Sequence, residues 1–336
     1  MFLNFLSRES SLKLGKSDIN FEQLNFFTYS RDAIYEICKI NKINSESEIL
    51  VPNYICSTVI DVLVIFTKKI KFYDINNKLN FDEYVIKGMC TDSTRLVLFV
   101  DYFGVESNIS DDLIDFLKNK KILILKDAAH SFLTQVKNDF KSSYKYDYLV
   151  SSIYKNIQVH IGAIAKGHFD RKHHDIDKNL LIKRKIVFFI KKLFCMFGFI
   201  KFINRNIENL IIVEEGYEPM ISKNNCYDKY NKNILSIDFS MMIIDRQRLS
   251  EDFFNFFNKK SLFTKEQIQD NVLQAYPIIF DNKNDRDSLL DILRKNCIDA
   301  YTWPTFHPLA INEKLWEKIL LLPIDEKVLK LCKEII

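Results

Sequence analysis

Lys121-Ile-Leu-Ile-Leu-Lys-Asp-Ala-Ala-His130 is an apolar run that stops in a short charged and small-residue segment. Lys121 to Leu125 reads as a strand with no polar face, the pattern of a strand covered on both sides. Asp127 then stands just beyond it. The same unit recurs outward along the chain. Arg95-Leu-Val-Leu-Phe-Val100 and Tyr148-Leu-Val-Ser-Ser152 are apolar strands, and Glu48-Ile-Leu-Val51 is a shorter one ending at Pro52. Lys71-Phe-Tyr-Asp74 is another. Helical spacing fills the gaps at Arg31–Ile40, Ser57–Thr67 and Asp111–Lys118. In the first of these, Ile34, Ile37 and Cys38 share a face, and Ser30 is the expected N-cap. Strands alternating with helices predict an α/β fold, a mainly parallel sheet covered by helices. Ligands bind such sheets at the carboxyl ends of the strands. The segments to inspect are therefore 52–56, 101–104, 127–130 and 151–155.

Composition excludes several functions. The chain has 336 residues, room for one large and one small domain. Net charge is +4, too mild to indicate nucleic acid. With 7 Gly, the chain has no Gly-rich phosphate loop of the dinucleotide or P-loop kind. The 7 Cys lie far apart with no Cys-x-x-Cys pair, so they read as reduced thiols of a cytoplasmic protein and not as a metal site. The N-terminus reaches charge too early for a signal peptide, and no run of about 18 apolar residues predicts a membrane span.

Residues 178–213 differ from the rest. Lys183, Arg184, Lys185, Lys191, Lys192, Lys201 and Arg205 interrupt stretches such as Ile186-Val-Phe-Phe-Ile190. They read as basic amphipathic helices, either an insertion packed on the core or a second subunit, or a weak contact with an anionic membrane surface. A large domain over 1–235 and a small α+β domain over 236–336 are expected. In the latter, Ala275–Phe280 and Ala300–Trp303 read as strands and Arg286–Asn296 as a helix, and Leu321–Ile324 with a last helix closes the chain. Trp303 and His307 can face the crevice and touch substrate, though packing is the plainer role for Trp303 and solvent for His307.

Asp127 alone reads as a turn or cap residue, and Lys155 alone as a surface charge. Together they follow two strands of one parallel sheet, so both can reach one crevice. A lysine amine and a carboxylate are the pair that pyridoxal 5'-phosphate (PLP) chemistry needs, one for the Schiff base and one for the pyridine nitrogen.

Lys126-Asp-Ala-Ala-His130 resembles the Glu-Asp-Ala-Ala-Gln/His signature of the DegT/DnrJ/StrS sugar aminotransferases, a PLP-dependent family of fold type I. Ser152-Ile-Tyr-Lys155, followed by Gly162-Ala163, resembles that family's lysine segment. Tyr29-Ser-Arg-Asp-Ala-Ile34 is similar to its Ser-Gly-Thr/Arg-x-Ala-Leu helix start, and Ile49-Leu-Val-Pro-Asn-Tyr-Ile-Cys56 to its Val-Leu-Val-Pro-x-Tyr-x-Cys strand end. Thr302-Trp-Pro304 and Ile319 to Asp325 continue the likeness to the C-terminus.

The resemblance implies roles. Lys155 would bind the cofactor and move the proton, with an amine whose pKa is lowered by burial and by the cofactor. Asp127 would pair with the pyridine nitrogen. His130, which alone reads as a hydrogen-bonded histidine at a helix start, would face the phenolic oxygen. Ser30 and Arg31 would offer backbone N–H groups to the phosphate, and Ser151 or Ser152 a hydroxyl. Cys56 or Tyr54 would pack on the ring. The implied reaction takes an amine from an amino acid, glutamate, onto a nucleotide-linked keto sugar for surface polysaccharide, through pyridoxamine 5'-phosphate (PMP), in a homodimer.

Two departures stand out. Ser30 replaces the glycine of the phosphate turn. The family's Arg-Arg-x-Asn-Tyr segment appears as Arg246-Gln-Arg-Leu249-Ser250, and Leu249 lacks the amide that reaches the partner subunit's phosphate. These keep open a catalytically impaired protein acting as a binding or scaffolding partner. A PMP-dependent sugar dehydratase is a further alternative, against which Lys155 argues because that branch carries His. A generic nucleotide binder lacks its Gly-rich turn.

Overall fold

A computed structural model describes residues 24–157, 162–169, 237–296, 298–304 and 313–335. The basic stretch at 178–213 and His307 lie outside them. In chain order the elements begin with β1 (Asn25–Phe27), α1 (Ser30–Ile40), β2 (Glu48–Pro52), α2 (Ser57–Phe66) and β3 (Ile70–Tyr73). Next come α3 (Glu83–Met89), β4 (Thr94–Val100), α4 (Asp111–Asn119), β5 (Leu123–Ala128), α5 (Phe132–Lys137), β6 (Tyr148–Ser152) and β7 (Ala163–Lys166). The C-terminal part holds α6 (Ser240–Phe257), α7 (Lys265–Asp270), β8 (Tyr276–Ile279), α8 (Lys283–Lys295), α9 (Glu313–Lys318), β9 (Ile319–Leu322) and α10 (Glu326–Ile335).

Seven strands form one sheet in the order β1-β7-β6-β5-β4-β2-β3. β3, β2, β4, β5 and β6 are parallel, while β7 pairs antiparallel with β6 and with β1. The expected α/β class therefore holds, and the reason is visible in burial. Every residue of β2 and β6 is buried, as a sheet covered on both faces requires. On α1 the expected face, Ile34, Ile37 and Cys38, is fully buried.

Two local expectations are corrected. The strand expected to stop at Leu125 runs on to Ala128, with Lys126 and Asp127 inside the ladder against Phe99 and Val100. Lys126 stays in the sheet because its ammonium has a buried partner, Asp101, at 3.2 Å. The N-cap of α1 is Tyr29 and not Ser30, which is already helical. The Tyr29 N–H donates to Asp32 Oδ2 at 3.0 Å, so the cap is held by the carboxyl three residues on.

β8 and β9 pair as a separate antiparallel ribbon, and Ala300–Trp303 contributes only a bridge, Tyr301 to Leu321. The stretch just before β8 docks on the carboxyl edge of the large sheet. Gln274 N donates to Phe103 O at 2.8 Å, and Thr134 Oγ1, which accepts from Val272 N at 2.8 Å, donates to Gly104 O at 2.6 Å. Gly104 has φ +110, and a Cβ there would lie 2.5 Å from Val272 O and 2.6 Å from Leu273 Cα. Both neighbours are backbone, so neither can swing away. Gly104→Ala is expected to cost about 2–3 kcal/mol, read as a lower urea midpoint with an unchanged slope.

Candidate active site

One cavity opens at the carboxyl edge of β4, β5 and β6. Its wall includes Ser30, Arg31, Cys56, Asp127, His130 and Lys155. Asp101, Tyr154 and Trp303 complete the part that matters for the chemistry. Each side chain arrives by a different element. Ser30 and Arg31 begin α1, Cys56 precedes α2, Asp127 is the last residue but one of β5, and Lys155 sits in the turn that follows β6. Trp303 comes from the C-terminal part. Its ring stands edge-on to His130 at 5.0 Å and to Tyr54 at 5.1 Å.

Three residues from the sequence-derived set are not on that wall. The Ser151 hydroxyl is used inside the sheet, donating to Ala128 O at 2.8 Å. Tyr54 is fully buried and donates to Trp303 O at 2.6 Å, so it braces the wall from behind. Of the Ser151/Ser152 and Cys56/Tyr54 alternatives, Cys56 lines the cavity. Ser152 does not, but its hydroxyl is buried without a hydrogen-bond partner among the described residues. Asp101 falls in the strand-end segment 101–104 marked for inspection but was assigned no role there. Trp303, read first as a packing residue with the crevice as its other place, lines the wall.

The turn carrying Lys155 is held from both parts of the chain. Asn156 Nδ2 donates to Ser152 O at 2.9 Å. Arg246 Nη2 donates to Asn156 O at 3.3 Å, and Gln274 Nε2 reaches Lys155 O at 3.5 Å. Asp127 Oδ1 accepts from Ala129 N at 3.0 Å. His130 stacks on Phe103 with ring centroids 5.7 Å apart.

Burial pushes the Asp127 carboxyl up, and the Lys155 charge pulls it part of the way back. Burial, then the Lys155 charge, holds His130 well below the ordinary histidine value, so its ring is neutral. Lys155 corrects an expectation. Burial lowers it, yet the acidic groups of Tyr154, Cys56 and Asp127 outweigh burial, and its pKa lies above the ordinary lysine value. The expected lowering counted burial and cofactor without these acidic neighbours.

PLP fits the residues present. Ser30 Oγ, Ser152 Oγ and His130 Nδ1 are buried with no partner among the described residues. A buried polar atom left so costs about 1–3 kcal/mol. A ligand with a phosphate and a phenolic oxygen offers partners of the right kind, and its ring nitrogen and aldehyde match Asp127 and Lys155.

Solved structures share this architecture. The aminotransferase TlmJ from Streptoalloteichus hindustanus superposes with TM-score 0.61 at 13% identity, covering 92% of this chain and 83% of that one. Helicobacter pylori PseC, an aminotransferase involved in the biosynthesis of pseudoaminic acid, gives 0.58 at 14%, covering 99% and 93%. NtdA from Bacillus subtilis, solved with bound cofactor PMP, gives 0.58 at 16%, covering 89% and 68%. At such identities the likeness speaks for the fold. The fold is that of PLP-dependent aminotransferases of fold type I. Residues 32–153 match the model of the DegT/DnrJ/EryC1/StrS aminotransferase family. PLP and its amino form PMP are the cofactor that this family implies.

Asp32 lies just behind the cavity. Burial raises its carboxyl from 3.8 to about 7, against the pull of Arg31 and of the Tyr29 N–H. Between these values the folded chain keeps a proton that the unfolded chain has lost, so this group makes stability fall as pH rises from about 4 to 7. Asp32→Asn, which keeps an acceptor for Tyr29 N–H, is expected to remove on the order of 2–4 kcal/mol of that fall. Chemical denaturation of both proteins at pH 5 and pH 8 checks it; parallel pH profiles would refute it.

Proposed function

We propose that the chain transfers an amino group from an amino acid, glutamate, to a keto sugar carried on a nucleotide, for surface polysaccharide. The observation that supports this most is one cavity shared by Lys155, Asp127 and the unpartnered Ser30 and His130 atoms. When bound, PLP supplies an electron sink that makes the carbon next to the amine acidic. In this reading Lys155 Nζ is the base that takes that proton and returns it to the neighbouring carbon. It must first give up the charge that its acidic neighbours favour. Asp127 remains a carboxylate and holds a proton at the ring nitrogen. Neutral His130 keeps a ring N–H for the phenolic oxygen. Ser30 and the backbone N–H groups at the start of α1 receive the phosphate, with Arg31 beside them. Ser152 adds its hydroxyl, and Cys56 packs against the ring.

The reading extends to a cytoplasmic homodimer, divided near residue 235 into a cofactor-binding and a smaller unit. Among the described residues no helix is long and apolar enough to cross a membrane. Weak peripheral contact through 178–213 stays part of the proposal. One observation favours a second reading, a binding partner with impaired catalysis. Leu249 is 2% exposed and lies in the core face of α6, so the position carries neither an amide nor a route to a second copy.

Adding PLP to the purified chain is expected to give a visible absorption band that Lys155→Ala abolishes. Borohydride should then fix a phosphopyridoxyl group on Lys155. Glutamate should bleach the wild-type band, with release of 2-oxoglutarate. A band that persists under glutamate and every other amino donor tried selects the binding-partner reading, and an adduct at another lysine overturns both.

A further inference from the structure

A second pair of opposite charges lies under the cavity floor. Lys126 and Asp101 are 1% and 0% exposed, and Nζ stands 3.2 Å from Oδ1. Lys126 Nζ also donates to Ser107 O at 3.1 Å and to the Tyr146 hydroxyl at 3.3 Å. Asp101 works on both sides. Its Oδ1 accepts from Ser107 N at 2.8 Å, and its Oδ2 from Ser131 Oγ at 2.8 Å. Its backbone N–H donates to Asp127 O at 2.9 Å. Asp101 therefore holds the segment Asp127 to Ser131 at both ends, and its carboxyl reaches the cavity wall.

That arrangement puts two buried carboxyls at the ends of adjacent strands, close enough for the Asp101 charge to push Asp127 up. Two such groups cannot both be charged without a compensating cation. Lys155 cannot serve both, because its amine has to become neutral to act. We propose that Lys126 is a positioning residue for the cofactor site: its ammonium neutralises Asp101, which lets Asp127 stay a carboxylate while Asp101 keeps its grip on the turn that carries His130. This rests on the PLP reading above.

The charges around the pair agree with this. Asp127 meets Lys155 from the turn after β6, Asp101 and Tyr102 from the end of β4, and neutral His130 from its own turn. Lys126 meets Asp101, Tyr146 and Glu106. Burial raises Asp101, and Lys126 is the first group that lowers it again. Asp101 in turn pushes Asp127 up. Without Lys126 the two carboxyls share a proton. Either Asp127 loses its charge, or protonated Asp101 loses an acceptor that Ser107 or Ser131 uses.

The test is PLP binding by the full chain, followed by absorbance from pH 6 to 9. Lys126→Met is expected to weaken PLP about tenfold or more and to add a pH-dependent step to the visible band that the wild type lacks. The double variant Asp101→Asn/Lys126→Met removes both charges and is expected to lose the added step and recover most of the affinity. A packing role would leave the double variant as poor as the single one. If Lys126→Met does not fold, Lys126→Gln, which keeps a donor for Ser107 O without the charge, takes its place with the same expectations. A single variant with wild-type affinity and pH profile overturns the inference, as does a folded double variant that recovers nothing. A wild-type chain that takes up no PLP overturns the functional reading instead, and this inference with it.

Discussion

Parallel strands β2, β4, β5 and β6 end on one edge, and the backbone ladder fixes how far apart their last side chains stand. Neighbouring strands lie about 4.8 Å apart, so residues at the ends of three adjacent strands come together whatever their separation in sequence. Val100 pairs with Asp127, and Asp127 with Val150. Asp101, Asp127 and the turn of Lys155 are thus neighbours by backbone geometry before any side chain makes a contact. The antiparallel β7 returns directly beside β6.

Bringing those groups together creates an electrostatic problem. Asp101, Asp127, Lys126, Lys155 and His130 all share a region from which water is largely excluded, where unbalanced charge is expensive. The fold answers with an ion pair, Asp101 with Lys126 inside the sheet, and with the Lys155 charge near enough to pull Asp127 down. His130 stays neutral between them. The atoms left without partners, Ser30 Oγ, Ser152 Oγ and His130 Nδ1, belong to groups set around this edge. A site built this way leaves unmade hydrogen bonds that a polar ligand can complete.

The C-terminal part supplies restraint more than chemistry. Arg246 and Gln274 hold the carbonyls of Asn156 and Lys155, and Trp303 walls the cavity against His130. The docking segment Val272 to Gln274 passes so close to Gly104 that no side chain fits between. The lysine turn is therefore fixed by contacts from residues about ninety to one hundred and twenty positions away.

The α/β class was legible because apolar runs without a polar face have one stable home, a sheet covered on both sides. Asp127 and Lys155 were legible for the same reason, since strand ends are readable from where the apolar runs stop. The reading failed where a charge was taken as a stop. Lys126 looked like the end of β5, and only Asp101, brought alongside by the neighbouring strand, lets it remain inside. Ser30 looked like a cap, but the carboxyl of Asp32 takes the Tyr29 N–H instead. The sequence by itself determined the strands, their order of chemistry and the lysine–aspartate pair, because these follow from local pattern. Tertiary structure alone decided that Cys56 and not Tyr54 lines the cavity, that Ser151 is used inside the sheet, and which way its neighbours push Lys155. Those depend on partners and burial, which no stretch of sequence carries.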